Sequence, residues 1–364
     1  MHKSCTSLQW VLLLACTLGY MGENLNCWPG DKYCDNDASL LDALVQFRAR
    51  DCGANFTRDV RHAKQDNKPF SAFGVPVSEI KDLTYFLRTS YEVFGCELPG
   101  VPFDGDGLIR LPDTITRIKI DVGLGHHAPN TQMWLESIPG LVVFGFEPNL
   151  QAVSDMLAGR RRGQSIVNAK HLDLAYVGRR MFLFPVALGI SLSQADFYAT
   201  KNSVCSSILE PNIEWITQHD GQKAAAEMTA DVYPVAVLTL SDLLSKIPWG
   251  SEGDPGVFPI VEHIKIDAQG YDLEILRGAG PYLSQRVVCV TAEKSAWGYK
   301  EPGHNAQELI DFMSHQGFTI LHESGLIRTV LGVVMDAGDL TFYNTNLSDW
   351  LHHIDCSGGD SFVT

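Results

Sequence analysis

Downstream of residue 112 the chain exchanges repeatedly between two hydrophobic periods. Short, nearly continuous apolar runs fall at Arg117–Val122, Leu141–Phe146, Met181–Val186, Val235–Leu238, His263–Asp267, Val287–Ala292, Phe318–His322 and Val330–Met335. Longer stretches with helical spacing of apolar residues fit between them. Continuous runs are what strands buried on both faces look like, and alternation with helices marks crossovers, so the pattern predicts an α/β domain: a parallel sheet with helices on both faces. Helix starts agree. Asn149 is placed to cap a helix after Pro148, and Asn305 followed by Glu308 forms a capping-box pattern before the helix that ends near Gly317.

Upstream the pattern is helical and loop-rich. Leu40, Leu41, Leu44, Val45 and Phe47 share one face, and Ile80, Leu83, Phe86, Leu87, Tyr91 and Phe94 share another. The stretch from Pro99 to Gly107 breaks all periodicity and reads as a boundary. Its Asp104-Gly105-Asp106-Gly107 run lacks the remaining ligands of a calcium loop and reads as a plain turn. At the start, Met1-His2-Lys3 is short and basic, Trp10 to Leu18 is apolar, and Gly19 and Gly22 are small, which together read as a signal peptide. The apolar stretch is about half of the ~20 residues that a spanning helix needs, so a cleaved signal is preferred to a short membrane anchor, and also to a lipoprotein signal at Cys16. The expected organisation is therefore a signal peptide over 1–22, a helical, cysteine-containing region over 23–112, an α/β domain over 113–345 and a tail over 346–364. It places the protein in the secretory pathway or outside the cell, with no stable membrane span after cleavage.

Charge and cysteines narrow the picture. A formal charge of −15 over 364 residues argues against nucleic acid as the partner. The basic knot Arg160-Arg161-Arg162 reads as a solvated helix end. Beyond the signal segment lie Cys27, Cys34, Cys52, Cys96, Cys205, Cys289 and Cys356. The first four suit disulfides in an oxidising compartment, in any of the possible pairings. Cys289, inside the run Val287–Val290, reads as a buried free thiol. Asn55-Phe56-Thr57 and Asn346-Leu347-Ser348 are glycosylation acceptors in form. Nothing in the sequence sets an oligomeric state.

Candidate chemistry sits at the strand ends. The first strand runs into Asp121-Val122-Gly123-Leu124-Gly125-His126-His127, where glycines let backbone approach a ligand and Asp121 suits a cationic amino-acid group. The second ends in Phe146-Glu147-Pro148-Asn149, and Glu147 is placed to accept the two hydrogen bonds of a ribose diol. A nicotinamide cofactor would call for a third glycine where the chain has His127-Ala128-Pro129.

With these motifs the chain resembles the FkbM-type S-adenosylmethionine-dependent methyltransferases. The similarity spans most of the region from Ile118 to Glu293. It takes in Asp121-Val122-Gly123, Phe146-Glu147-Pro148-Asn149, Val186-Ala187-Leu188-Gly189, Ser206-Ser207-Ile208-Leu209 and Leu238 to Leu244. Its strongest block runs from Ile264 to Ala279. The resemblance implies a seven-stranded, Rossmann-like class I methyltransferase sheet, S-adenosylmethionine as cofactor, and O-methylation of a glycan or small hydroxylated acceptor. Asp121, Gly123, Gly125, Glu147 and Asn149 become the cofactor-binding candidates. Three positions depart from the family pattern: Gly125 and His127 stand where it has Asn and Gly, and Gln269 stands where it commonly has Glu.

The sulfonium is already an activated electrophile, so such an enzyme must align the acceptor oxygen and remove its proton. Asp267, at the end of a central strand, is the first candidate for that contact, and His126 is the second. Asp267 and Glu293 fall short of a metal ligand set, so no metal is expected. Tyr271 and Trp297 could stack on an acceptor ring or simply pack. Two other functions stay open at this point: an exported, catalytically inactive binding domain of the same fold, and a nucleotide-sugar or NAD-dependent enzyme sharing only the crevice.

Overall fold

The apolar runs become the central strands of the computed structural model, which describes residues 91–93, 96–98, 100–157, 171–251, 258–294, 298–300, 303–330 and 333–356. The expected signal peptide, Cys27, Cys34, Cys52, the sequon at Asn55, the Arg160–Arg162 knot and Trp297 lie outside these residues. The first elements are a hairpin of β1 (Tyr91–Val93) and β2 (Cys96–Leu98). Tyr91 thus belongs to a strand and not to the helical face expected through it. The alternation Tyr91-Glu92-Val93 and Cys96-Glu97-Leu98 is the strand period of 2. Asp104 makes the expected turn, its Oδ1 accepting from the N–H groups of Asp106 and Leu108, each at 2.9 Å.

The α/β part follows as β3 (Arg117–Val122), α1 (Pro129–Ser137), β4 (Leu141–Phe146), α2 (Leu150–Leu157) and β5 (Met181–Phe184). Next come β6 (Ala187–Leu188), β7 (Ser193–Thr200), α3 (Ile213–His219), α4 (Gly221–Glu227), β8 (Ala230–Leu238) and α5 (Leu240–Leu244). Then follow β9 (Val261–Ile266), α6 (Asp272–Arg277), α7 (Tyr282–Arg286), β10 (Val287–Glu293), α8 (Ala306–His315) and β11 (Phe318–Glu323). The last strands are β12 (Leu326–Val330), β13 (Val333–Ala337) and β14 (Asp339–Asn344).

Seven strands form the main sheet, in the order β11-β14-β10-β9-β3-β4-β5. β5, β4, β3, β9 and β10 run parallel, while β14 is antiparallel to both of its neighbours. Every residue of β4 and β9 is buried, which explains their unbroken apolar character. Helices flank the sheet, as expected for a Rossmann-like fold. α2 buries Leu150, Val153, Met156 and Leu157, each worth roughly 1.5–3 kcal/mol when fully removed from water. Its start is capped as read from the sequence: Asn149 Oδ1 accepts from Gln151 N at 3.1 Å and Ala152 N at 3.2 Å. Asn305 and Glu308 close the capping box of α8.

Three further expectations are corrected. The run Val235–Leu238 is not a main-sheet strand; it is the end of β8, in a separate sheet of order β6-β8-β7. The earlier half of β8 is only partly covered, with Asp231 and Val232 exposed, and contains Pro234, which cannot donate to a ladder, so this strand belongs to a half-covered sheet. Residues Val330–Met335 do not make one strand, because they straddle the hairpin of β12 and β13. The seventh main-sheet strand is β14. Cys289 is not a free thiol. It forms a disulfide with Cys356, Cα to Cα 5.7 Å, and fastens the C-terminal segment to β10. The 3₁₀ stretch Thr345–His352 leads to that cysteine, and Leu347, Trp350 and Ile354 pack on Ile260 and Val288 around the bond. Buried Lys119 adds a second tie, its Nζ donating to the Asp355 carbonyl at 3.1 Å, and burial pulls its pKa down to about 8. Cys205 keeps a free thiol.

Candidate active site

The chain visits β3, β4 and β5 on one side of the sheet and then crosses to β9 on the other side of β3. The order therefore reverses between β3 and β9, the place where open α/β sheets bind ligands at their carboxyl ends. Pairing puts Asp121 opposite Gly145 on β4 and Lys265 on β9, with Lys265 opposite Thr291 on β10. The residues just beyond these rows line one end of four adjacent strands.

Gly123 sits at the reversal. Its φ is +79°, and a Cβ there would lie 2.0 Å from the Asp267 carbonyl oxygen, so only glycine lets the two loops meet. Asp267 N donates to the Val122 carbonyl at 3.0 Å, and Gly123 N to that of Phe146 at 2.9 Å. Asp121 is 1% exposed; its Oδ2 accepts from Thr131 Oγ1 at 2.6 Å, while Oδ1 is buried with no hydrogen-bond partner among the described residues. Burial raises the Asp121 pKa, against the opposing pull of Lys265. Glu147 is also buried. Oε2 accepts from Gly125 N and Oε1 from Asn149 N, both at 2.7 Å. Each oxygen keeps a further lone pair. Burial pushes the Glu147 pKa up to about 7 although both amides and His126 pull the other way. Asn149 divides its work between this carboxylate and the cap of α2.

The loop that departs from the family pattern bends left-handed at Gly125, φ +60°, and again at Ala128, φ 46°. His126 Nδ1 meets Asp155 Oδ2 of α2 at 3.1 Å, with the imidazole largely buried. His126 therefore stands with Glu147. Among the described residues no hydrogen bond joins it to Asp267.

Asp267 lies in the most acidic part of the site. Its side chain is 40% exposed; Oδ2 pairs with Lys265 Nζ at 3.2 Å and Oδ1 accepts from Gln269 Nε2 at 2.8 Å. The same Nε2 donates to Glu293 Oε1 at 3.1 Å. Behind Glu293, Asp272 Oδ1 accepts its N–H at 3.2 Å and His304 Nε2 donates to its carbonyl at 2.8 Å. Asp272 Oδ2 and His304 Nδ1 are buried without hydrogen-bond partners among the described residues. Burial and then Asp267, Asp272 and Asp339 hold Glu293 well above the ordinary carboxylate range. Burial alone would lower Lys265, but Asp267 and Asp121 outweigh it and raise its pKa. Cys205, pushed up to about 11 by burial and by Glu293 and Asp267, is a neutral thiol at the edge of this group. Tyr299 OH donates to the Cys205 carbonyl at 3.1 Å. Among the described residues no three or more His, Cys, Asp or Glu side chains converge as a metal ligand group.

A family model for the methyltransferase FkbM domain matches residues 123–320, more than half of the chain. The chain belongs to the FkbM methyltransferase family. No curated protein matches it. Packing explains why the FkbM blocks occur together. A Cβ on Gly278 would lie 2.0 Å from the Gly189 carbonyl, and one on Gly189 would press on Val237 and Tyr271. Gly189 N donates to Leu238 O at 2.8 Å, and Ser241 N to Gly278 O at 3.0 Å. Three separated blocks thus meet at one backbone crossing, and Tyr271 is used partly in it. Ser207, from a fourth block, donates to the Gln269 carbonyl at 3.1 Å.

The structure brings Asp121, Gly123 and Asp267 to the reversal point and places Gly125, His126, Glu147 and Asn149 together beside it. Thr131, Asp155, Lys265, Asp272 and His304 join the site without being singled out by the sequence pattern. Lys265 had a signal: it stands two residues before Asp267 at a strand end, on the same face. The others reach the site only through the tertiary fold.

Proposed function

We propose that this FkbM-domain protein is an S-adenosylmethionine-dependent O-methyltransferase that acts on a glycan or small hydroxylated molecule in the secretory pathway or outside the cell. The observation that carries the reading is a pair of buried carboxylates on either side of a glycine turn. Asp121 has one oxygen with no hydrogen-bond partner among the described residues, and Glu147 has lone pairs left over from its two backbone contacts. A cationic cofactor with a ribose diol fits this set: Asp121 would take its ammonium group, Glu147 its hydroxyls, and Gly123 and Gly125 would give backbone access. When bound, the cofactor supplies a methyl group already activated on a sulfonium. The protein then has to orient the acceptor hydroxyl and take its proton at Asp267, whose carboxylate is held by Lys265 and Gln269 and is partly open to solvent. His126, tied to Asp155 beside Glu147, serves the cofactor side. The Cys289–Cys356 disulfide supports an oxidising compartment.

The test is transfer of labelled methyl groups from S-adenosylmethionine into a glycan extract. Asp267→Asn is expected to lower transfer about 100-fold, the scale of a lost general base, with cofactor affinity unchanged. A folded, cofactor-binding wild-type protein that labels no hydroxylated acceptor would overturn the reading in favour of an inactive binding domain.

A further inference from the structure

Two carboxylates that face one space repel, and the repulsion is relieved by a retained proton or by a divalent cation bound between their oxygens. Here the space is filled by an amide. Gln269 Nε2 lies 2.8 Å from Asp267 Oδ1 and 3.1 Å from Glu293 Oε1, so each of its two hydrogens has a carboxylate acceptor. Because both neighbours accept, the nitrogen end of the side chain is the end that faces them. Gln269 holds this position at some conformational expense: its φ is +51°, a left-handed backbone that a non-glycine residue rarely adopts. The surroundings enforce it. Ser207 Oγ donates to the Gln269 carbonyl at 3.1 Å and is itself fixed by Leu209 N at 3.1 Å, and Gly270 continues the turn at φ +99°. The remaining carboxylate oxygen of Asp267 is taken by Lys265 at 3.2 Å. A Glu at position 269 would instead place a fourth carboxylate among Asp267, Glu293 and the nearby Asp272.

We propose that the Gln269 carboxamide occupies the place between Asp267 and Glu293 where a divalent cation would otherwise bridge them, and so positions Asp267 for a metal-independent transfer. Gln269 is a positioning residue, and its role rests on the reading of Asp267 as the acceptor-side base. The single substitution Gln269→Glu should then turn the amide bridge into a cation site.

The experiment follows Mn²⁺ by electron paramagnetic resonance on the purified full chain. Wild type is expected to bind no stoichiometric Mn²⁺ at millimolar concentration, whereas Gln269→Glu binds one ion and loses it when Asp267→Asn is added. Methyl transfer by wild type is expected to survive a chelator. In Gln269→Ala, kcat should fall about tenfold while the cofactor KM stays put, the pattern of a lost contact that acts in the transition state. A wild-type protein that binds one Mn²⁺ through Asp267, or that needs a divalent cation for transfer, overturns the proposal. So does a Gln269→Glu protein that melts like wild type yet takes up no ion. The Mn²⁺ measurements need neither cofactor nor acceptor. Failure to bind S-adenosylmethionine would remove the proposed reaction and leave them standing, and the converse also holds.

Discussion

Replacing Glu147 by glutamine should change the stability of the protein by an amount that depends on pH, and the dependence can be worked from the site. In the folded protein burial raises the Glu147 pKa from 4.5 to about 7. A group raised on folding contributes stability that is fully present below its unfolded pKa and is lost as pH rises through the folded one. For wild type the loss therefore runs from pH 4.5 to about 7, and a shift of that size corresponds to about 3 kcal/mol. A glutamine side chain does not titrate, so the variant escapes this loss. It has its own cost: its NH₂ must face the N–H of Gly125 or of Asn149, which leaves one buried donor without an acceptor, about 1–3 kcal/mol. Glu147→Gln should accordingly be less stable than wild type by about 1–3 kcal/mol in acid, and equal or more stable at ~pH 8. Urea unfolding of both proteins at a series of pH values measures the difference directly, and titrating groups remote from Glu147 cancel in the comparison. Parallel stability curves, with a gap that does not change between acid and neutral pH, would refute the reasoning.

Three further outcomes follow from the same geometry. Gly123→Ala places a Cβ against the Asp267 carbonyl at a left-handed φ; strain of about 1–2 kcal/mol plus overpacking of about 1–3 kcal/mol should lower the urea midpoint, and a loss below about 1 kcal/mol would show that the loops do not meet as described. Asp121→Asn removes a buried charge that the fold holds at a raised pKa, so the melting temperature at neutral pH should rise while cofactor affinity falls at least about tenfold; an unchanged affinity would assign Asp121 a purely structural role. Cys356→Ser opens a bond between residues 67 apart and should reduce stability by up to about 4 kcal/mol, measured as the gap between its unfolding and that of unreduced wild type; identical unfolding would mean that the bond does not form in solution.

The parts of the fold that were legible in the sequence are those in which one local rule dominates. β3 and β4 are buried on both faces, so their apolar runs give their limits directly. β14 is not of that kind. Asp339-Leu340-Thr341-Phe342-Tyr343-Asn344 mixes polar and apolar residues because its polar side chains find partners inside: Thr341 shares a hydrogen bond with Thr291 at 2.9 Å, and Asn344 donates to the carbonyls of Ser284 and Val287. A hydrophobic scan sees a weak strand there and a stronger one in the neighbouring hairpin. Cys289 misled for a related reason. Its apolar surroundings describe a buried thiol equally well, and the partner arrives from a tail whose path the local sequence does not encode. At the site, Asp121, Gly123 and Glu147 could be read because each belongs to a strand end and its loop. Gln269 was visible only as a departure from a pattern, and its two carboxylate partners come from different strand ends. His304 and Asp272, which hold the backbone of Glu293 from both sides, leave no periodic trace.

On the proposed function, the crevice at the carboxyl ends of β3, β4 and β9 binds S-adenosylmethionine through Asp121 and Glu147. Titration calorimetry of the purified protein with S-adenosylmethionine, with its demethylated product and with NAD tests it most directly. Saturable binding of the first two, none of NAD, and a loss of at least about tenfold in Glu147→Ala is the predicted result. A well-folded wild-type protein that binds neither sulfur compound, or that binds NAD instead, would contradict it.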